Sequence, residues 1–157
     1  MFHHMADLRI EPATLDDLNE LTELLFELFT QEADFTPNRE KQFRGLRLIL
    51  EQPSRGRIFV IRNERMIIGM INLLITISTA EGGFVLLLED LVIHRDYRGC
   101  GYGSRLLNHA LEFAKNKKFL RITLLTDNPE PTLGFYRKHG FVESTMSPMR
   151  YLVAHED

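Results

Sequence analysis

The sequence predicts a mixed α/β fold with a mostly antiparallel central sheet and flanking helices. Two helix-like stretches come first, and from residue 57 the pattern changes to runs rich in β-branched and aliphatic residues. A glycine-rich turn, "YRGCGYGS", then separates the last of these runs from another helical pattern. Strands and helices in one chain, with the helices in series, are therefore expected.

Length and composition favour one domain. The chain has 157 residues, 44% of them hydrophobic, which suits a single domain over residues 1–157, with 1–6 set aside as a tag remnant or flexible start. One cysteine allows no internal disulfide and no thiol cluster for a metal, so no metal site is expected, and it suits a cytoplasmic protein. A formal net charge of −3 and the lack of a long apolar run indicate no nucleic-acid or membrane partner.

The first half of the chain predicts a strand followed by two helices. The strand ends near Pro12, and Thr14 with Asp17 resembles a capping box that opens a leucine-rich helix. That helix breaks before Pro37, because the residue preceding a proline is driven out of helical geometry. A second helix is expected over residues 38–51.

The second half predicts a three-stranded antiparallel meander and then alternating elements. The strands "RIFVI", "MIIGMINLLITIS" and "FVLLLEDLVIH" are joined by turn residues at Asn63-Glu64 and at Glu81–Gly83. The remaining expectations are a helix over 104–116, a buried strand over 119–126, a short helix ended by Gly140 and two strand segments within 141–153.

The glycine-rich turn is suited to an anion. Gly99, Gly101 and Gly103 remove β-carbons where a strand leads into a helix, so a phosphate can approach the backbone amides closely. Amides at a helix start have no partner inside the helix, and the helix dipole attracts anions there. Arg95 and Arg98 add positive charge.

Other nucleotide-binding patterns fit this turn poorly. A Walker loop needs a lysine, which Gly103-Ser104-Arg105 lacks. In a dinucleotide fingerprint the third glycine would come one residue later, after the first strand of a βαβ unit. The remaining pattern is R-x-x-G-x-G, carried by Arg98, Gly101 and Gly103, and a glycine-rich connection without a ligand is the alternative.

Two segments carry a resemblance to a known family. "LEDLVIHRDYRGCGYGSRLL" resembles the central motif of the GNAT N-acetyltransferase superfamily, and "GFYRKHGF" resembles its second hallmark. The element order from Leu8 to Val153 agrees with that fold, in which a central strand pair splays apart. Around Glu89 the sequence is most similar to small-amine enzymes of the spermidine/diamine type. The resemblance implies an acetyl-CoA cosubstrate and a primary-amine acceptor.

The resemblance also implies how acetyl-CoA is held. The amides from Gly99 to Ser104 would bind the pyrophosphate, and the pantetheine would pair like an added strand with the edge at 91–93. The family often has an asparagine seven residues before its tyrosine, where this chain has Pro129; Asn128 fills that role if the segment has a one-residue insertion. The expected contacts are Leu91, Val92, Ile93, Arg98, Gly99, Cys100, Gly101, Tyr102, Gly103, Ser104 and Asn128.

Two residues are candidates for catalysis. Glu89 matches the position of a proposed base, and Tyr136 matches a tyrosine that faces the coenzyme sulfur; the alternatives are a carboxylate paired with a sheet arginine and a packed aromatic ring. Strand alternation puts Glu89 and Asp90 on opposite faces, so both can serve one cleft only if a bulge intervenes. Asp90 is expected to cap or pair behind the sheet. Cys100 lacks an evident base and is not favoured as a nucleophile.

The acceptor is the least determined part of the function. In this fold the break between the first two helices overhangs the acceptor cleft, and here it offers Glu32, Asp34 and Phe35 to bind an ammonium group; a solvated loop is the alternative. Acceptors compatible with the sequence are a small amine or a protein amine, and a non-catalytic acyl-CoA sensor is the competing function. Homodimers are common in the family, and the strands after Gly140 often take part in them.

Overall fold

The computed structural model describes residues 8–31, 38–126 and 130–154. The chain forms two compact units, residues 1–124 and 125–157. In these described ranges, no helix has both the length and the apolar composition needed to cross a membrane. The first unit contains the sheet, made of β1 Arg9–Pro12, β2 Gly56–Arg62, β3 Ile67–Ser78, β4 Gly83–Ile93 and β5 Ile122–Leu124. The helices are α1 Leu18–Gln31, α2 Arg39–Leu50 and α3 Tyr102–Asn116 in the first unit, and α4 Thr132–Lys138 in the second.

The sheet is mixed and mostly antiparallel, as the sequence predicts. Its five strands lie in chain order, with β1 to β4 antiparallel and β5 parallel to β4. β5 pairs only over residues 122–124, so it is shorter than the strand expected over 119–126. The ladder thus ends on this side well before β4 does.

Helices cover both faces of the sheet. Leucines of α1 and α2, among them Leu21 and Leu46, pack with Val60 and Met70 in a fully buried cluster. On the other face, Phe59 of β2 lies edge-on to the ring of His109 in α3, with centroids 4.7 Å apart. Burial on both faces explains why β2 and β3 are nearly continuous apolar runs instead of alternating ones.

The two strand segments expected within 141–153 do not form, and this prediction is wrong. Residues 141–154 have no strand structure, and side chains such as Val142 (89% exposed) and Met149 (97% exposed) are open to solvent. Strand-like composition becomes a strand only when a neighbouring chain segment accepts its backbone hydrogen bonds, and the described part of the second unit contains no strand. The helix before this segment, α4, ends at Lys138 and is followed by His139 and by Gly140, whose φ of +95° fits the predicted helix-terminating glycine.

The start of the first helix is fixed by Asp17. Its Oδ2 accepts a hydrogen bond from the backbone N–H of Thr14 at 2.9 Å, and its two carboxylate oxygens accept bonds from Arg62 of β2 at 3.0 and 2.8 Å. Asp17 is buried, and burial alone would raise its pKa. The bonds from Arg62 and Thr14 outweigh that effect and hold the pKa of Asp17 below its ordinary value.

We predict that Asp17→Asn lowers the free energy of unfolding by about 2 kcal/mol, because it removes one of the two carboxylates that pair with the largely buried guanidinium of Arg62 and leaves only Glu11. Since the folded pKa of Asp17 is lowered, its contribution to stability is present above the ordinary value of 3.8 and is lost as the pH falls below it. Urea denaturation between pH 7 and pH 2.5 measures both effects. Asp16→Asn, at an exposed position in the same turn, is the control. Equal stability of the two variants would contradict the prediction.

Candidate active site

A β-bulge in β4 organises the candidate site. Asn72 of β3 lies opposite Asp90, and the next residue, Leu73, lies opposite Leu88, so Glu89 is the extra residue on β4. The bulge interrupts the alternation that would put Glu89 and Asp90 on opposite faces. Both carboxylates line one cavity. The expectation that Asp90 caps or pairs behind the sheet is therefore wrong, because the inserted residue brings Asp90 to the same cavity as Glu89.

The cavity lies between α2 and the bulge and has a volume of about 350 Å³. This is at the small end of the range for ligand sites. Its apolar wall comes from α1, α2 and β3 and consists of Leu25, Leu46, Ile49 and Leu74. Its polar side chains are Asn38, Lys41, Gln42, Asn72, Glu89 and Asp90. The site thus suits a small ligand with an apolar body and polar ends.

The two carboxylates differ in their surroundings. Asp90 is 8% exposed and accepts a hydrogen bond from Asn72 Nδ2 at 2.9 Å. Glu89 is exposed, and within the described ranges no hydrogen bond or ion pair is formed by its side chain. The alternative of a Glu89–arginine pair is therefore not observed there. Glu89 is accessible to a proton donor, whereas Asp90 is held in place.

Beyond the bulge, one edge of β4 has no partner strand among the described residues and is here called the open edge. β5 pairs with β4 only over Leu86–Leu88, while 91–93 continue to pair with β3 on the other side. The side chain of Arg98 donates from Nε to the carbonyl oxygen of Ile93 at 3.0 Å and so ties the following turn to the strand end. An open strand edge offers backbone donors and acceptors that an extended ligand containing amides can match.

The glycine turn has the conformation and the free space that an anion requires. Gly99 and Gly101 have φ values of +78° and +86°, which favour glycine. A β-carbon at either position would have no atom within 4 Å outside the glycine and its two chain neighbours, so this side of the loop has room for a ligand. The backbone N–H of Arg105 donates to the carbonyl of Gly101 at 3.2 Å, which marks residues 102–104 as the first turn of α3. These features fit a pyrophosphate group.

Cys100 lies in this turn, exposed to solvent. Its thiol contacts the carbonyl oxygen of Arg98 at 3.7 Å, and a carbonyl cannot serve as a base that activates it. In the described ranges, His, Cys, Asp and Glu side chains form no group of three or more that could hold a metal ion.

The second unit positions Tyr136 on α4. Its ring packs edge-on to Phe141, with centroids 5.5 Å apart, and to Phe135 at 5.1 Å. Burial raises the pKa of Tyr136 to about 12, so the phenol is protonated at neutral pH and can donate a hydrogen bond. The other predicted site residues, Asn128 and the acceptor residues Glu32, Asp34 and Phe35, lie outside the described residues.

Sequence reasoning missed Gln42 and Asn72, which line the cavity. Both are buried amides. The signal was present: Asn72 interrupts an apolar strand, and Gln42 precedes Leu46 and Ile49 by four and seven residues, on the apolar face of a helix. A polar residue at such a position indicates a buried hydrogen-bonding site.

A family model, the acetyltransferase (GNAT) domain, matches residues 54–143 of this chain. The chain belongs to the GNAT acetyltransferase family. Its open strand edge and glycine turn both lie inside the matched range.

Similar proteins share the fold and part of the sequence. A possible acetyltransferase from Clostridium difficile 630 superposes with a TM-score of 0.85 at 17% identity, over 94% of this chain and 99% of the other, which shows the common fold. Streptothricin acetyltransferase A of Bacillus subtilis (strain 168) is 36% identical over 66 residues, 41% of this chain and 38% of that protein. Glucosamine 6-phosphate N-acetyltransferase of Trypanosoma brucei brucei is 31% identical over 86 residues, 54% of this chain and 57% of that one. The matches thus span less than two thirds of either curated relative.

Proposed function

We propose that this protein is an acetyl-CoA-dependent N-acetyltransferase that transfers an acetyl group to a small primary amine. The bulge carries the proposal, because it puts an accessible carboxylate, Glu89, on a small cavity at the point where the edge of β4 opens. Membership in the GNAT family supports the reaction class and the cosubstrate.

In this proposal the backbone holds most of acetyl-CoA. The amides of the glycine turn and of residues 102–104 bind the pyrophosphate, and the open edge at 91–93 pairs with the pantetheine amides. Arg98 keeps the turn against the end of β4 through its bond to Ile93. The open space around Gly99 and Gly101 supports this assignment. The assignment of Asn128 to the pantetheine remains a prediction.

Glu89 is proposed as the base. Acetyl-CoA supplies an activated acetyl thioester, which only a neutral amine attacks, whereas a primary amine is protonated near neutral pH. The carboxylate of Glu89 accepts that proton directly or through water. Asp90, bonded to Asn72, fixes the bulge beside it and adds negative charge that attracts a cationic acceptor.

Tyr136 is proposed to assist the departing thiolate. A phenol with a pKa of about 12 is a far weaker acid than a thiol with a pKa near 8.5. Complete transfer of its proton to the thiolate would therefore be unfavourable by about 3.5 pKa units. Hydrogen-bond donation from the phenol to the sulfur is the role that its environment favours.

A small amine is favoured over a protein amine by the size of the cavity and by its two carboxylates. The relatives named above carry two different small acceptors in their names, streptothricin and glucosamine 6-phosphate, which supports the class of acceptor without selecting one. The predicted contribution of Glu32, Asp34 and Phe35 to ammonium binding belongs to the same proposal.

We predict that Gly101→Ala weakens acetyl-CoA binding at least about tenfold, because a β-carbon strains a backbone with φ of +86° and projects where the phosphates lie. Gly82→Ala is a matched control, since Gly82 has φ of +81°, equally open surroundings and a place in the β3–β4 hairpin. Calorimetric titration with acetyl-CoA measures the effect. Equal affinity of both variants would refute the pyrophosphate assignment.

Glu89→Gln is expected to lower kcat/KM for the amine by about 10²–10⁴-fold, with the largest loss at low pH, where unassisted deprotonation of the amine is least available. Release of free thiol from acetyl-CoA, with and without a panel of primary amines, gives the rates. Glu81→Gln, an exposed position in the hairpin turn, is the control. Coenzyme binding without amine-dependent thiol release by the wild type would favour the non-catalytic sensor instead.

Tyr136→Phe is expected to lower kcat by about 10–10²-fold, the effect of one hydrogen bond to a charged group, with little change in acetyl-CoA affinity. The comparison variant is Tyr151→Phe, which removes a phenol that is 88% exposed. Single-turnover thiol release measures the chemical step, and a separate binding titration measures the affinity for acetyl-CoA. An unchanged kcat would remove Tyr136 from the mechanism.

A further inference from the structure

Gln42 is a buried amide whose side chain has no hydrogen-bond partner among the described residues. It lies on α2, is only 7% exposed, and neither Oε1 nor Nε2 finds a hydrogen-bond partner within the described ranges. Most buried polar groups in proteins are hydrogen-bonded, so a side chain with both a donor and an acceptor unsatisfied requires an explanation. The amide lines the same cavity as Glu89 and Asp90.

Asn72 adds a third unsatisfied atom to this cavity. It is 2% exposed and donates from Nδ2 to Asp90, while its Oδ1 has no partner in the part of the chain that the structure describes. The cavity therefore has two distinct polar requirements. The side chain of Gln42 needs a group that both donates and accepts, and Asn72 Oδ1 needs a donor.

Charged groups satisfy these requirements poorly. An ammonium group donates to Asn72 Oδ1 and to the carboxylates of Glu89 and Asp90, but it cannot accept from Gln42 Nε2. A carboxylate accepts from Gln42 Nε2, but it cannot donate to Oε1, and it would add a negative charge to a cavity whose lining already has two carboxylates against one ammonium group, that of Lys41. A neutral carboxamide pairs with Gln42 reciprocally, through one N–H···O bond in each direction.

We infer that Gln42 determines acceptor specificity, and that the acceptor is a short aliphatic primary amine carrying a neutral carboxamide at its other end. This inference rests on the proposed acetyltransferase function. The ammonium end lies beside Asn72 and the carboxylates of the bulge, and the carboxamide lies against Gln42. Leu46 and Ile49 follow Gln42 on the same helix face and line the cavity. They contact the aliphatic chain that joins the ammonium end of the acceptor to its carboxamide end.

A matched set of amines tests the carboxamide directly. 4-Aminobutanamide and 4-methylpentylamine have the same shape and differ in hydrogen bonding. 4-Aminobutanoate, 1,4-diaminobutane and 4-aminobutanol replace the carboxamide by a negative charge, a positive charge and a hydroxyl group. We expect the wild type to prefer 4-aminobutanamide over 4-methylpentylamine by about 10²-fold in kcat/KM, because the apolar analogue leaves the buried amide unpaired.

Gln42→Leu is expected to abolish that preference by raising KM for 4-aminobutanamide while leaving KM for acetyl-CoA unchanged. Gln52→Leu is the control, because Gln52 follows α2 and its side chain donates to the carbonyl of Leu48. Gln42→Met, which preserves side-chain length, serves if the leucine variant fails to fold. Removal of an unpaired buried amide should also raise the Tm of the free protein in the Gln42 variants.

Binding without turnover separates this inference from the proposed function. Calorimetric titration of 4-aminobutanamide into protein lacking acetyl-CoA should give a Kd at least about tenfold higher for Gln42→Leu than for wild type or Gln52→Leu. A lack of thiol release with this result would refute the acetyltransferase proposal and keep Gln42 as a carboxamide-binding residue. An equal Kd in all three proteins, or a wild type that prefers the diamine, the carboxylate, the hydroxyl or the apolar analogue, would overturn the inference.

Discussion

The single extra residue in β4 is the feature on which the site depends. Insertion of Glu89 shifts the ladder so that Asn72 faces Asp90 and holds its carboxylate. The same irregularity coincides with the end of the β4–β5 pairing at Leu88, and beyond it no strand among the described residues pairs with this edge of β4. One local departure from regular pairing thus produces both a polar cavity and an edge that can bind an extended ligand.

A rigid scaffold is needed to keep these features in place. β3 is covered by helices on both faces, and Met70 and Leu73 are fully buried, so the strand that holds Asn72 has little freedom to shift. Three amide atoms of Gln42 and Asn72 have no hydrogen-bond partner among the described residues, and such buried atoms lower the stability of the free protein instead of adding to it. Polar groups that weaken the fold while lining a cavity are typical of binding sites, where stability and function conflict.

The order and type of most elements follow from the sequence because local chemistry sets them. The capping pair of Thr14 and Asp17, the hairpin turn at Gly82 and the helix end at Gly140 act over a few residues, and each is where the pattern indicates. The segment 141–153 shows the limit of such reasoning. Its strand-like composition has no effect without a partner strand, and composition cannot reveal whether one is present.

The features of the candidate site likewise fall into those that follow from local sequence and those that depend on tertiary contacts. The sequence alone determined the glycine turn, because backbone conformation is a local property, and its resemblance to the family motif singled out Glu89 as a candidate base. Only the tertiary structure decided that Asp90 joins Glu89 on one cavity and that Gln42 of a separate helix meets them there. The register of β3 against β4 and the packing of α2 depend on contacts between residues distant in the chain, which no local pattern encodes.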